Sequence, residues 1–418
     1  MSKLLRFYLF VLFCFTLYSC NQKKEDMTKE IHEDSILTSG KFGDDVKFLN
    51  RYLQMIILQD PSGNSKVAVA GALQGRVMTS TSNGDDGISY GWINRKAFTS
   101  GDTSDHMNAF GGEDRFWLGP EGGQYSLYFN KGDPFEFAYW HVPRLIDLDP
   151  FELELNDAQQ AVFGKKATLT NYAGTVFDFR IRRAIRIIEQ EEALKLLGLP
   201  PKTGVPSMVA FESINELTND GLSAWKKDSG LLSIWILGMY NPSPSATIII
   251  PYSGEEANIG NIVNDEYFGT VPSDRLKMKG KAIFFKADGK HRSKIGLPPQ
   301  YAPKLLGSYD AAQGVLTIVR YTKPAGNTDY VNSLWEIQNN PYNGDAVNAY
   351  NDGPPEPGAE PMGPFYELET SSPAAALSPG ETIRHVHTTF HFHGRASELD
   401  PIMKDLFGVT SEIVSEVF

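Results

Sequence analysis

The chain has 418 residues, 41% hydrophobic and 22% charged, proportions of a globular protein with a large core rather than of a disordered chain. Its 39 Lys and Arg against 51 Asp and Glu leave a formal net charge of −12, with no basic excess for phosphate contacts, which argues against a nucleic-acid partner. With 38 Gly, 25 Pro and an aromatic share of 12%, the composition fits many strands joined by tight turns.

The N-terminus reads as an export segment. Lys3 and Arg6 precede a near-continuous apolar run from Phe7 to Leu17, too short to cross a bilayer but right for a signal peptide. It ends in Leu17-Tyr18-Ser19-Cys20, which resembles a bacterial lipobox. That resemblance implies cleavage after residue 19, lipid on Cys20 and a membrane anchor; an ordinary signal peptide is the alternative. Cys14 lies in the removed segment, so a lipidated Cys20 leaves no thiol for disulfides, nucleophilic catalysis or zinc. Residues 20–40 read as a flexible polar tether. Its Gln22-Lys23-Lys24-Glu25-Asp26 resembles the surface-export signal of Bacteroidetes lipoproteins, implying a place in the cell envelope at the outer membrane, periplasmic or surface-exposed.

The body, residues 41–418, reads as one β-rich unit. Helical spacing of Val46, Leu49, Leu53, Ile56 and Ile57 predicts a short helix over 42–58. Strands are predicted over 66–80, 125–129, 135–140, 151–155 and 175–188. In the last, Phe177, Phe179, Ile181, Ile185 and Ile187 alternate with charged residues, the period of a strand with one buried face. A helix over 189–199 ends at Gly198 and Pro200-Pro201. Further strands are predicted over 208–217, 231–239, 247–251, 279–287, 315–321, 330–336, 365–370 and 382–392, then one or two helical turns in 396–418. No fixed-period repeat points to a propeller.

No phosphate loop, Gly-x-Ser-x-Gly or His-Glu-x-x-His motif occurs. Residues 111–123 combine five glycines with Glu113, Asp114, Arg115, Trp117 and Glu121, the side chains of a sugar-binding loop: Arg donates to hydroxyls and Trp offers a flat face. A turn with an internal Arg–Glu pair is the plainer reading. On the strand 384–393, His385, His387, His391 and His393 share one face, as a packed or sugar-facing polar stripe or as a metal site. Asp345, Asn348, Asn351 and Asp352 form an oxygen-rich cluster that could hold calcium or another divalent ion, or simply form a turn; no other cofactor is called for.

A Leu368-Glu369-Thr370 strand, then Leu377-Ser378-Pro379-Gly380-Glu381 and a further strand, resembles the C-terminal end of aldose 1-epimerases (galactose mutarotases). Gln74-Gly75-Arg76-Val77 is similar to the early Gly-Arg-Ile strand of that superfamily. The mature chain more closely resembles uncharacterised bacterial lipoproteins of the mutarotase-like superfamily. The resemblance implies an all-β supersandwich of the galactose mutarotase type with a few short helices. It also implies Glu369 as catalytic base and Arg76 as a substrate ligand. The superfamily's Asn-His-x-x-Phe-Asn strand has no counterpart: residues 231–240 carry Trp235 and no histidine. The acid would then be His141, His106 or a stripe histidine, His387 or His391, with Arg115, Trp117, Glu121, Trp235 and Asp352 as further ligand contacts. Two functions follow: an epimerase acting on a free sugar or uronic acid, or a non-catalytic glycan-binding lipoprotein. Either takes a carbohydrate ligand; nothing in the sequence sets an oligomeric state.

Overall fold

The computed structural model describes residues 40–418 except 202–203, 256–257, 327–328 and 357; the export segment and Cys20 lie outside the described residues. Its first eight strands are β1 (Met55–Gln59), β2 (Lys66–Ala70), β3 (Arg76–Thr81), β4 (Arg115–Gly119), β5 (Glu152–Asn156), β6 (Gln160–Thr170), β7 (Val176–Ile188) and β8 (Ser207–Asn219). Then come β9 (Ser233–Tyr240), β10 (Ala246–Pro251), β11 (Leu276–Lys279), β12 (Ala282–Lys286) and β13 (Ser293–Leu297). The last are β14 (Leu305–Asp310), β15 (Val315–Tyr321), β16 (Val347–Asn351), β17 (Tyr366–Ser371) and β18 (Thr382–His393). They form a three-stranded sheet, β1-β2-β3, a ten-stranded sheet, β11-β12-β10-β14-β15-β18-β8-β7-β6-β5, and a five-stranded sheet, β13-β16-β17-β9-β4. The all-β class with a few short helices is the one expected from the sequence.

Strand alternation decides what each sheet faces. On β7, Phe177, Phe179, Ile181, Ile185 and Ile187 are buried while Val176, Asp178, Arg180 and Arg182 are exposed, as the pattern predicts. This face packs with Phe116 and Leu118 of β4 and Ile234 and Ile236 of β9, so the five-stranded sheet lies over the ten-stranded one. At the other end, Leu368 of β17 and Val347 of β16 meet Ile248 of β10 and Phe285 of β12. The opposite face of the ten-stranded sheet carries Ile318, Phe390 and Phe392, covered by the helices Gln190–Leu197 and Ala396–Phe407 through Leu194, Leu399 and Met403. None of the described helices is long and apolar enough to cross a membrane.

Arg183 occupies an inward position of β7 among the apolar residues and is fully buried. It survives there because it is saturated: Nε donates to the Gly75 carbonyl at 3.2 Å, Nη1 to Asn215 Oδ1 at 2.6 Å, and Nη2 to the Asp114 carboxylate.

Several predicted elements differ. The helix over 42–58 is only Phe42–Leu49; Ile56 and Ile57 lie in β1, which pairs with β2. Residues 66–80 split into β2 and β3 around Gln74, whose φ of 60° turns the chain. Residues 125–129, 135–140 and 330–336 form no strand. The Gly-rich stretch 111–123 contains a buried strand, β4, and the C-terminus holds a 12-residue helix rather than one or two turns.

Phe179 is 1% exposed in the core between the sheets. Phe179→Ala should destabilise the fold by about 3–5 kcal/mol, measured by chemical denaturation.

Candidate functional site

The site begins with the alternation of β17. Leu368 and Thr370 point between the sheets, so Glu367 and Glu369 point outward, onto the face of the five-stranded sheet away from the ten-stranded one. Pairing carries that face across the sheet: Glu369 sits opposite Asn348 and Leu237, Leu237 opposite Arg115, and Trp235 opposite Trp117. Lys294, opposite Tyr350, joins it from β13. The acids therefore come from the central strand and the cations from the two edge strands, β4 and β13.

A cleft opens on this face. Arg115, Glu121, Arg292, Lys294 and Glu367 line it together with Trp117, Trp140, Trp235 and Trp335. Phe137 and Phe268 stand exposed at its rim. Two ion pairs and a set of ring contacts fix the floor. Lys294 Nζ meets Glu369 Oε2 at 2.9 Å and lies 4.7 Å over the Trp235 ring. Trp235 Nε1 donates to the same oxygen at 3.0 Å. Arg115 pairs with Glu367 and lies over Trp117. Trp117 and Trp235 meet edge to face at 5.6 Å. Glu369 itself has no exposed surface and lies just beneath the lining. Five buried polar atoms here, Arg115 Nε, Trp117 Nε1, Trp140 Nε1, Arg292 Nε and Glu369 Oε1, have no hydrogen-bond partner among the described residues. Such atoms are costly unless a ligand or solvent meets them.

Glu121, Glu367 and Glu369 face two paired cations, Arg115 and Lys294, with Arg292 a third cation at the rim. Burial works against the charge on Lys294, but Glu369, Glu121 and Glu367 together raise its pKa. Burial pushes Glu367 up to about 8; Arg115 pulls it down and Glu369 adds to the rise. Burial also raises Glu121, against the pull of Lys294 and with the push of Glu369. Burial thus keeps a proton in the cluster near neutrality, chiefly on Glu367. Behind Lys294, Asp345 accepts from Tyr267 Oη at 2.7 Å, and burial raises it to about 6.

Of the residues singled out in the sequence, the cleft brings together Arg115, Trp117, Glu121 and Trp235, with Glu369 in contact beneath. The histidine stripe is elsewhere. His385 and His387 both contact Thr370 Oγ1 at 2.9 Å, which places them between the sheets on the opposite face of β17. Burial holds them neutral, His385 down to about 3 and His387 to about 4. His391 is fully buried, pairing with Glu113 at 2.7 Å and stacking on Tyr90. His387 and His391 therefore cannot reach a ligand in this cleft. His141 is exposed, bonds the Asp105 carbonyl at 2.8 Å and stacks on His106, outside the lining. Arg76 is buried: Gly112, at φ 116°, lets its side chain pack where a Cβ would come within 2.9 Å, and it bonds the Gly111 carbonyl and Gln74. Burial and the charge of Arg115 lower it to about 9. Asp352 is also internal, accepting from Tyr350 Oη at 2.6 Å and the Gly363 amide at 2.9 Å. The four residues read as a calcium cluster divide: Asp345 and Asn348 gather on Tyr267, while Asn351 bonds the His291 carbonyl. Among the described residues no cluster of three metal-ligating acids, histidines or cysteines occurs.

Glu367, Lys294, Arg292, Trp140 and Trp335 were not singled out. Glu367 was within reach, since it precedes Glu369 by two on one strand. Lys294 meets Glu369 only through a pairing of distant strands.

A larger open hollow of roughly 1560 Å³ lies beside Tyr90, Arg95 and Asn241. Of its charged residues Asp45 pairs with Arg95 and Asp310 accepts from Ser245, and none of its lining side chains has an unpartnered buried atom, so the chemistry belongs to the smaller cleft.

Solved structures of similar fold include the Slr1438 protein of Synechocystis sp. PCC 6803 (12% identity, 82% of this chain and 96% of that one, TM-score 0.49). A galactose mutarotase-like protein from Lactobacillus casei ATCC 334 (10% identity, 81% and 100%, TM-score 0.44) and a galactose mutarotase related enzyme from Lactobacillus acidophilus (9% identity, 82% and 98%, TM-score 0.44) are also similar. No curated protein sequence matches the chain. Residues 40–418 match the model described as "Family of unknown function (DUF6786)", and the chain belongs to that family.

Proposed function

We propose that the cleft binds a carbohydrate and transfers protons on it, most simply by epimerising the anomeric carbon of a free sugar. The observation that carries this reading is the outward pair on β17: Glu367 inclined to hold a proton at neutral pH, and Glu369 ion-paired through Oε2 with Oε1 unpartnered. In the proposed step, which requires Trp235 to swing off Glu369, Glu369 Oε1 takes the proton of the anomeric hydroxyl while Glu367 gives its proton to the ring oxygen. The C1–ring-oxygen bond breaks and the C1 carbonyl forms; rotation and reclosure on the other face, with both protons returned, complete the reaction. Arg115 and Lys294 hold the two carboxylates, and the indole faces of the cleft wall take the apolar face of a sugar. Glu367 here takes the acid role that the sequence alone placed on a histidine.

A non-catalytic glycan-binding role is the second reading, favoured by one observation: Glu369 lies covered beneath Trp235 and Lys294. Anomer interconversion, followed by polarimetry across a panel of aldoses, separates the two. Catalysis predicts turnover that falls ~10²–10⁴-fold in Glu369→Gln with binding kept, while binding alone predicts no turnover in the wild type.

The proton on Glu367 sets a pH dependence. Its folded pKa, about 8, lies above its ordinary value of 4.5, so the stability it contributes is full below about 4.5 and is lost as pH rises through 8. The thermal midpoint should fall over that range in the wild type and fall less in Glu367→Gln. Turnover should decline above about pH 8 as the acid loses its proton.

We also propose that the chain is exported and held at a membrane by lipid on Cys20, on the strength of the N-terminal sequence. Multiple acyl chains give the stable attachment that one chain does not. Cys20→Ala should abolish metabolic lipid labelling and move the protein from the membrane to the soluble fraction.

A further inference from the structure

Arg292 differs from the other cations of the cleft. Arg115 is paired with Glu367 and Lys294 with Glu369, but Arg292 makes no ion pair and no side-chain hydrogen bond with any described residue. It lies two residues before Lys294 and lines the same cleft. Its guanidinium lies 4.0 Å from the centre of the Phe268 ring, and this stacking holds its plane at the rim. Asp352 feels its charge, but that carboxylate is already held by Tyr350 Oη and the Gly363 amide. A half-buried guanidinium with its Nε buried and unpartnered is a site for a planar or tetrahedral anion, which its fork of donors fits.

We propose that Arg292 is a specificity-determining residue that anchors an anionic substituent, a carboxylate or a sulfate, on the sugar bound in the cleft. This rests on the carbohydrate reading and narrows it. The cations of the floor, Arg115 and Lys294, are already paired with Glu367 and Glu369, so an anionic substituent is directed to Arg292 at the rim. A uronate or a 6-sulfated aldose meets that requirement: its ring sits on the indoles while its charged group reaches Arg292.

The test is calorimetric titration of the purified protein with glucose, glucuronate and glucose 6-sulfate, and with galactose, galacturonate and galactose 6-sulfate. At least one anionic sugar should bind about tenfold or more tightly than its neutral parent, a difference of about 1.4 kcal/mol, and the advantage should shrink with added salt. Arg292→Met, which keeps an apolar stem on Phe268, should remove the advantage, weakening the anionic sugar about tenfold more than its neutral parent. Carboxylate and sulfate arms identify which anion the site takes. An unchanged preference in Arg292→Met, or neutral parents that bind as well as every anionic form, overturns the assignment of Arg292 while leaving the carbohydrate reading intact. A failure of all six sugars to bind overturns the carbohydrate reading and this proposal with it. Phe268→Leu, which frees the guanidinium plane, should reduce the same preference by a smaller factor.

Discussion

Three carboxylates gathered in one water-poor cleft repel one another, and the site can exist only because two cations stand among them. The order of the five-stranded sheet makes this arrangement available. The central strand β17 supplies Glu367 and Glu369, while the edge strands β4 and β13 send Arg115 and Lys294 inward across their neighbours. Neither pair is simply a stabiliser. A buried ion pair recovers little beyond its own desolvation, whereas removal of one partner leaves an uncompensated charge. What the pairs secure is geometry: Glu367 and Glu369 each have one oxygen tied, and burial obliges the group to keep a proton.

The other side of the same sheet meets a second polar demand. Between the sheets, Arg183 with Asp114, His391 with Glu113, and His385 and His387 with Thr370 are all buried. These groups sit where a purely apolar core would serve for packing alone. Their saturation pins strands to one register: a one-residue slip of β18 would remove every histidine from its partner and drive Phe390 and Phe392 into the polar layer. The histidine stripe therefore reads as a device of register between the two sheets.

How far the sequence reached can be judged residue by residue. Alternation sorted the faces of β7 and β18, because period two is a local property of an extended chain. It could not tell which layer the histidine face of β18 meets, since that depends on sheet order; hence the misplacement of His387 and His391. Glu369, Arg115, Trp117 and Trp235 were legible from motif and residue type. Arg292 and Lys294 were not, because the segment Ser293–Leu297 is short, and its meaning arises from pairing with β16 and from reaching a residue 75 positions away. The aromatic segments 125–129, 135–140 and 330–336 resembled strands in composition. They are instead loops, and Trp140 and Trp335 from them wall the cleft.

That concentration of indoles has an optical consequence. Four of the six tryptophans, Trp117, Trp140, Trp235 and Trp335, border one cleft, and two of them touch edge to face with an ammonium over one ring. Most of the molecule's indole chromophores therefore border the cleft that holds these charges. The close indole pair is placed for exciton coupling in the near-ultraviolet, a signal that depends on the mutual angle of the rings. The protein thus carries a built-in spectroscopic gauge of whatever enters the cleft, with Trp92 and Trp225, outside the cleft lining, as its internal reference.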